Sequence, residues 1–225
     1  MLDKTSTSSH PASSIQTTAS IARRGAIILC GGASTRMGHD KAWLPFGPGE
    51  TMLERVVRLV SEVVPADRIV CVAAEGQKIP CLPGWVRLVR DREPYLGPLS
   101  GLGTGLSVLE RDADAVFVTG CDVPLLVPAV VARLFDLLGE DEIAVPHDGE
   151  RYHPLAAVYR TSVRSYAESL LAAGERSLVS LIERCRSRTV PLDALRDIDP
   201  NLSSLANCNT PDDYQLALLA CGFPT

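Results

Sequence analysis

The sequence predicts an α/β domain, a three-layer α/β/α sandwich on a mostly parallel sheet, and three observations carry the prediction. Short apolar runs without alternation, AIIL at 26–29 and AVFVT at 115–119, read as strands buried on both faces. Between them apolar residues recur at helical spacing, so strand, helix and strand alternate along the chain. Each run ends at glycine with charged residues close behind: Gly31-Gly32 before Arg36 and Lys41, and Gly120 before Asp122. Open sheets of this kind take their ligands at such strand ends.

One domain accounts for 225 residues, and an apolar share of 46% is ordinary for a buried core. The formal net charge of −5 argues against a nucleic-acid partner, which is gripped through a basic face. No apolar run approaches the ~20 residues of a membrane helix, and residues 1–24 lack the apolar centre of a secretory leader. The expectation is a cytoplasmic protein with no membrane partner. Residues 1–24, rich in Ser, Thr and Ala and ending in Arg23-Arg24, read as a disordered tail, and 25–225 as the domain. The seven cysteines are scattered, with no C-x-x-C, so neither a zinc site nor a disulfide framework is expected. Cys30 and Cys121, beside the expected site, are the two whose thiol pKa neighbouring positive charge would lower.

The first strand delivers the chain to GAIILCGGASTRMGHDKAWLPF, residues 25–46. Small residues there let backbone N–H groups close on an anion. Arg36 offers a planar fork and Lys41 a mobile point charge, with Asp40 placed to orient it. The spacing fits neither the Gly-Lys-Ser/Thr phosphate loop nor G-x-G-x-x-G, which weakens the case for a kinase or dehydrogenase. A helix starts at Thr51, which with Glu54 has capping-box spacing, and ends before Pro65. The strand at 68–72 completes a strand–helix–strand unit, whose crossover is right-handed. A polar loop at 75–84 leads to a strand at 86–89 that ends on Arg90-Asp91.

Gly97-Pro98 then turns into a helix finishing near Glu110. Glycine costs up to ~1 kcal/mol per helical site, so Gly101, Gly103 and Gly105 need an offsetting close approach, by a bound base or by the sheet. The strand at 115–119 runs into GCDVP, which puts Asp122 at a carboxyl end. A hard Mg²⁺ ion needs only one or two carboxylates besides substrate phosphates, so Asp122 is the candidate metal ligand. Asp112 and Asp114 mimic a D-x-D motif but precede the strand, at the opposite rim. A helix at 128–138 and a strand at 143–146 follow, then a turn at Asp148-Gly149 between strand-like segments. His147 and His153 either titrate near neutral pH or pack. Helices at 161–173 and on through 186 precede a last helix capped by Thr210 and opened by Pro211.

LCGGASTRMGHDKAWLPF resembles the signature loop of nucleotidyltransferases, most closely that of molybdenum cofactor guanylyltransferases, L-A-G-G-x-S-x-R-M-G-x-D-K-x-L, with Cys30 in the place of Ala. GPLSG at 97–101, CDVP at 121–124, HDGERYHP at 147–154, AGER at 173–176 and NCNTPDD at 207–213 resemble the same family in the same order. The resemblance spans roughly 25–220. It implies a Rossmann-like nucleotidyltransferase fold that transfers GMP from GTP to Mo-molybdopterin. The products would be the guanine dinucleotide cofactor and pyrophosphate, with Mg²⁺ as cofactor and molybdoenzyme maturation proteins as further partners. It implies catalytic roles for Arg36, Lys41 and Asp122, with Asp122 on the metal. Nucleotide binding would fall to Leu29, Cys30, Gly31, Gly32, Lys41, Asp91 and Asp122, and molybdopterin binding to Arg176, Asn207 and Asn209.

Two departures stand out. Ser177 sits where some members carry a second Arg, and CVAA at 71–74 lacks the Asn by which members contact guanine. Three rivals stay open: a cytidylyltransferase on the same cofactor, which has Ala-Ala-Gly for Cys-Gly-Gly; a sugar-phosphate nucleotidyltransferase; and an inert cofactor-binding adaptor. The joint presence of Arg36, Lys41 and Asp122 argues against the last.

Overall fold

Alternation along the first strand sets the layers. In β1 (Arg24–Leu29), Ala26 and Ile28 face a cluster containing Leu53, Val56 and Val57 of α1 (Met52–Ser61) and Val131 and Leu134 of α3 (Pro128–Leu138). Ile27 and Leu29 face the other way, into Leu102 and Leu106 of α2 (Pro98–Leu109), Ala167 of α4 (Arg164–Ala172) and Leu181 of α5 (Leu178–Arg184). Helices therefore cover both faces of the sheet, the expected three layers. Each fully buried aliphatic side chain contributes roughly 1.5–3 kcal/mol. The computed structural model describes residues 23–30, 40–91 and 97–224.

The sheet is completed by β2 (Ile69–Ala74), β3 (Arg87–Asp91), β4 (Ala115–Gly120), β5 (Ile143–His147), β6 (Ala156–Arg160) and β7 (Ser187–Pro191), in the order β3-β2-β1-β4-β6-β5-β7. All pairings are parallel except those of β6, which runs against both β4 and β5. Register aligns Leu29 with Val72 and with Gly120, and Ala74 with Asp91. The carboxyl ends of the four central and edge strands β1 to β4 thus share one rim. At the opposite rim Asp112 pairs with Arg87 and Asp114 with Arg23, so the D-x-D look-alike is a structural ion-pair site.

Local sequence accounts for the helix ends. Thr51 and Glu54 form the expected capping box of α1, worth ~1 kcal/mol, and Thr210 with Asp213 forms a second at α6 (Pro211–Ala220). The α2 glycines have a packing cause. A Cβ on Gly105 would stand 2.7 Å from Ile27 Cδ1, and one on Gly101 3.1 Å from Leu29 Cδ2, so the helix lies close on β1.

Three elements differ from the sequence reading. The helix expected through 186 stops at Arg184, and β7 follows it, unforeseen because Val190 is its one buried residue. The helix expected at 161–173 opens as a 3-10 turn, Thr161–Val163. β1 begins at Arg24, whose guanidinium meets Asp136 at 2.8 Å. The rest of the expected tail, 1–22, lies outside the described residues. Among the described residues no helix is long and apolar enough to cross a membrane.

A third apolar cluster seats α6. Phe46, Met52, Cys208, Ala217 and Leu218 form it, with Tyr214 and Phe223 packed alongside. Arg55 of α1 lies 4.7 Å over the Phe46 ring and donates to the Pro124 carbonyl at 2.7 Å and to Glu50 at 3.0 Å. One guanidinium thereby ties the loop after β4 to α1 and to the C-terminal segment.

Candidate active site

Four side chains meet where β1, β4 and the segment before α6 converge. Lys41 Nζ donates to Asp122 Oδ2 at 2.8 Å and to Asn209 Oδ1 at 2.9 Å, and Asn207 Nδ2 donates to Asp122 Oδ1 at 3.3 Å. The backbone repeats the connection, since Cys208 N–H donates to the Asp122 carbonyl at 2.8 Å. Lys41 and Asp122 side chains are each only 15% exposed, so their ion pair is weakly screened. Residues 41, 122, 207 and 209, proposed from separate stretches of sequence, thus form one junction.

Each is placed by its own element. Lys41 opens a 3-10 turn, Lys41–Trp43, capped by Asp40, whose Oδ1 accepts from Ala42 N–H at 3.1 Å. Asp122 follows Gly120 at the end of β4; a Cβ on Gly120 would stand 2.5 Å from Asp122 Oδ1, so glycine there leaves the carboxylate its position. The two asparagines are delivered by a pinned turn. Buried Asp199 accepts from the N–H groups of Ser203 and Ser204 at 2.9 and 2.8 Å, and Ser204 Oγ accepts from Val127 N–H at 2.9 Å. Leu202 between them is left-handed, φ 52°, a conformation that costs a non-glycine residue about 1 kcal/mol or more.

Other expected residues lie along the same rim. Asp91 ends β3, and its Oδ1 accepts from Ser100 Oγ of α2 at 2.9 Å. Leu29 packs on Gly101, and its carbonyl accepts from Cys121 N–H at 3.1 Å. Arg176 is exposed before α5, with its carbonyl 3.0 Å from where a Gly97 Cβ would be, at the start of α2. Gly31, Gly32 and Arg36 lie outside the described residues.

The cysteine expectation is overturned. Cys121 is held well above the ordinary thiol range by its contact with Cys30 and by burial. The Cys121 contact alone would lower Cys30, but the Cys71 contact and burial outweigh it and raise Cys30 as well. Both thiols are buried in the core cluster beneath the rim.

His153 is partly buried, with Nε2 3.5 Å from Asp148 Oδ2. Burial lowers its pKa although Asp148 pulls the other way. Together with Tyr152, Ser204, Leu205 and Asn207 it lines a cavity of about 190 Å³, which shares Asn207 with the junction. Sequence reasoning missed Ser204 and also Gln77, which sits in the turn after β2. Gln77 has no motif of its own, and only its hydrogen bonds to Asp40 and Cys30 reveal it.

Residues 26–189 match the MobA-like NTP transferase domain. A probable molybdenum cofactor guanylyltransferase of Mycobacterium avium is 39% identical over 194 residues, covering 84% of this chain and 92% of the relative. Another, of Mycobacterium tuberculosis, is 36% identical over 188 residues, covering 82% and 88%. Among solved structures, molybdopterin-guanine dinucleotide biosynthesis protein A of Archaeoglobus fulgidus superposes with a TM-score of 0.69 at 22% identity, over 88% of this chain and 98% of that one, a likeness of fold. Matched over most of its length by the domain and by relatives of more than one-third identity, the chain belongs to the MobA-like NTP transferase family, a family of nucleotidyltransferases.

Proposed function

We propose that the enzyme transfers GMP from GTP to Mo-molybdopterin, forming the guanine dinucleotide cofactor and releasing pyrophosphate. The junction of Lys41, Asp122, Asn207 and Asn209 carries this reading, because it joins the nucleotide-side loop to the C-terminal asparagines. The names of the 36–39% identical relatives support the same substrates.

The chemistry asks for little proton transfer. An acceptor phosphate oxygen, already anionic, forms a bond to the α-phosphorus of GTP while the bond to the bridging oxygen of pyrophosphate breaks. Alignment and neutralisation of crowded negative charge are the main requirements. Lys41 provides a point charge at the triphosphate, and Arg36 a planar fork. A unit charge pair at ~4 Å and an effective dielectric near 20 is worth ~4 kcal/mol, or about a thousandfold in rate.

The donors at the junction fit Mg²⁺. They are oxygens, from Asp122 and the asparagine amides, and among the described residues no group of three His, Cys, Asp or Glu forms a closed cage. A hard ion that takes one protein carboxylate plus phosphate oxygens suits that set. Asp122 would hold Mg²⁺, which would supply positive charge at the triphosphate; Lys41 and Asn207 hold the carboxylate in place, and Asn209 holds Lys41. The cavity that shares Asn207 with the junction supports a seat for the acceptor on that side of Asp122.

The test incubates the purified protein with each α-labelled nucleoside triphosphate, Mg²⁺ and Mo-molybdopterin. Label should pass from GTP to the pterin. Transfer from CTP instead makes the enzyme a cytidylyltransferase. Transfer only to sugar phosphates overturns the acceptor, and binding of cofactor without any transfer makes the protein an adaptor.

A further inference from the structure

The glycine-rich segment leaves β1 at Cys30 and returns at Asp40, and one side chain from elsewhere in the fold touches both ends. Gln77 Nε2 donates to the Cys30 carbonyl at 2.9 Å and to Asp40 Oδ2 at 2.8 Å, using both of its hydrogens. Its Oε1 accepts from Ala74 N–H at 3.1 Å, the end of β2. That third bond fixes the amide orientation, because a flipped amide would set its oxygen against two acceptors.

We propose that Gln77 is a positioning residue that sets Lys41 for catalysis, a proposal that rests on the role given to Lys41 above. The path is short. Gln77 holds Oδ2 of Asp40, and Oδ1 of the same carboxylate caps the turn that begins at Lys41. Rotation of Asp40 would release Ala42 N–H and turn Lys41 away from Asp122 and Asn209. Gln77 is itself anchored, since Arg90 of β3 donates to the carbonyls of Ala74 and Gln77 at 3.1 and 2.6 Å. Trp43 Nε1 closes the turn from its other end by donating to the Lys78 carbonyl at 2.9 Å. The sheet edge is thereby wired to the catalytic lysine through one neutral amide. A misplacement of about 1 Å at such a group costs on the order of a hundredfold in rate.

An amide is the group this position requires. It faces one carboxylate and one carbonyl, both acceptors, while its own oxygen faces a donor. Glutamate has the same shape but no hydrogen to give, and it would set a second negative charge against Asp40.

Gln77→Glu and Gln77→Ala are compared with the unaltered enzyme by steady-state GMP transfer and thermal melting. Gln77→Ala should lower kcat about tenfold with less than about a threefold change in KM for GTP, and the isosteric Gln77→Glu should lower it further. A Gln77→Glu variant as active as the unaltered enzyme overturns the proposal, and so does a loss carried entirely by KM or matched by a collapse in melting temperature. If the unaltered protein transfers no GMP, the proposed function fails on its own account. The clamp is then read from amide hydrogen exchange at Ala42, which should quicken about tenfold in Gln77→Ala. Unchanged exchange there overturns it.

Discussion

Asp122 is held from three directions: by Lys41 Nζ and Asn207 Nδ2 on its carboxylate, and by Cys208 N–H on its backbone carbonyl. Only the first two depend on the side chain. Asp122→Asn keeps the shape and the backbone bond while removing the charge, so kcat for transfer should fall by about a thousandfold with cooperative unfolding preserved. Steady-state rates and a melting curve decide it; near-normal turnover would remove both the metal and the lysine assignment. Residues of this kind were legible in the sequence because a carboxyl end of a buried strand is where such sheets work. Gln77 was not legible, since what distinguishes it is contact with Cys30 and Asp40, distant in the chain. Cys30 and Cys121 were misread because they were set apart from the other cysteines by their nearness to a basic loop, whereas both are buried in the core like Cys71.

At the scale of elements, α2 shows a helix whose composition reflects its neighbour more than its own propensity. Gly105 faces Ile27 of β1 at 2.7 Å from its missing Cβ, whereas Gly103 faces Leu171 at an ordinary 3.6 Å. Alanine gains up to ~1 kcal/mol in a helix, but overpacking a fully buried contact costs ~1–3 kcal/mol. Gly105→Ala should therefore destabilise by about 1–2 kcal/mol while Gly103→Ala stabilises by up to about 1 kcal/mol. Urea denaturation of the pair measures this, and the same sign in both would refute the packing account. The helix was readable from the sequence, but the choice between a bound base and the sheet as the cause of its glycines was not. β7 escaped for a related reason: with Val190 alone buried, its five residues carry no period to read. The antiparallel pairing of β6 with β5 accords with the turn at Asp148-Gly149, but the insertion of β6 between β4 and β5 could not be read from that turn.

For the whole molecule, the seat of α6 decides whether the site is complete. Glu50 and Asp213 serve that seat. Burial would raise Glu50, but Arg58 and Arg55 outweigh it and hold its carboxyl below the ordinary 4.5. The Thr210 hydroxyl and the backbone amides of Thr210 and Asn209 hold Asp213 below the ordinary 3.8. Because both folded-state values are depressed, the unfolded chain binds more protons on the acid side. The stabilisation is whole above those ordinary values and is lost as pH falls through the folded-state ones. The melting temperature should thus hold steady down to about pH 5 and decline below it, and Glu50→Gln should show a shallower decline. An unchanged acid limb in that variant would clear Glu50 of the role. A chain ended at Leu205 should keep its sheet by circular dichroism, melt earlier because Phe46 and Met52 lose their cover, and transfer no GMP.

That dependence on α6 gives the order of synthesis a meaning. A ribosome makes β1 before Asn209, so the sheet can pair while the strap that anchors Lys41 is still unmade. A chain cut before Asn207 would lack both the amide that holds Asp122 and the amide that holds Lys41. Lys41 gains this anchor only once Asn209 has been made.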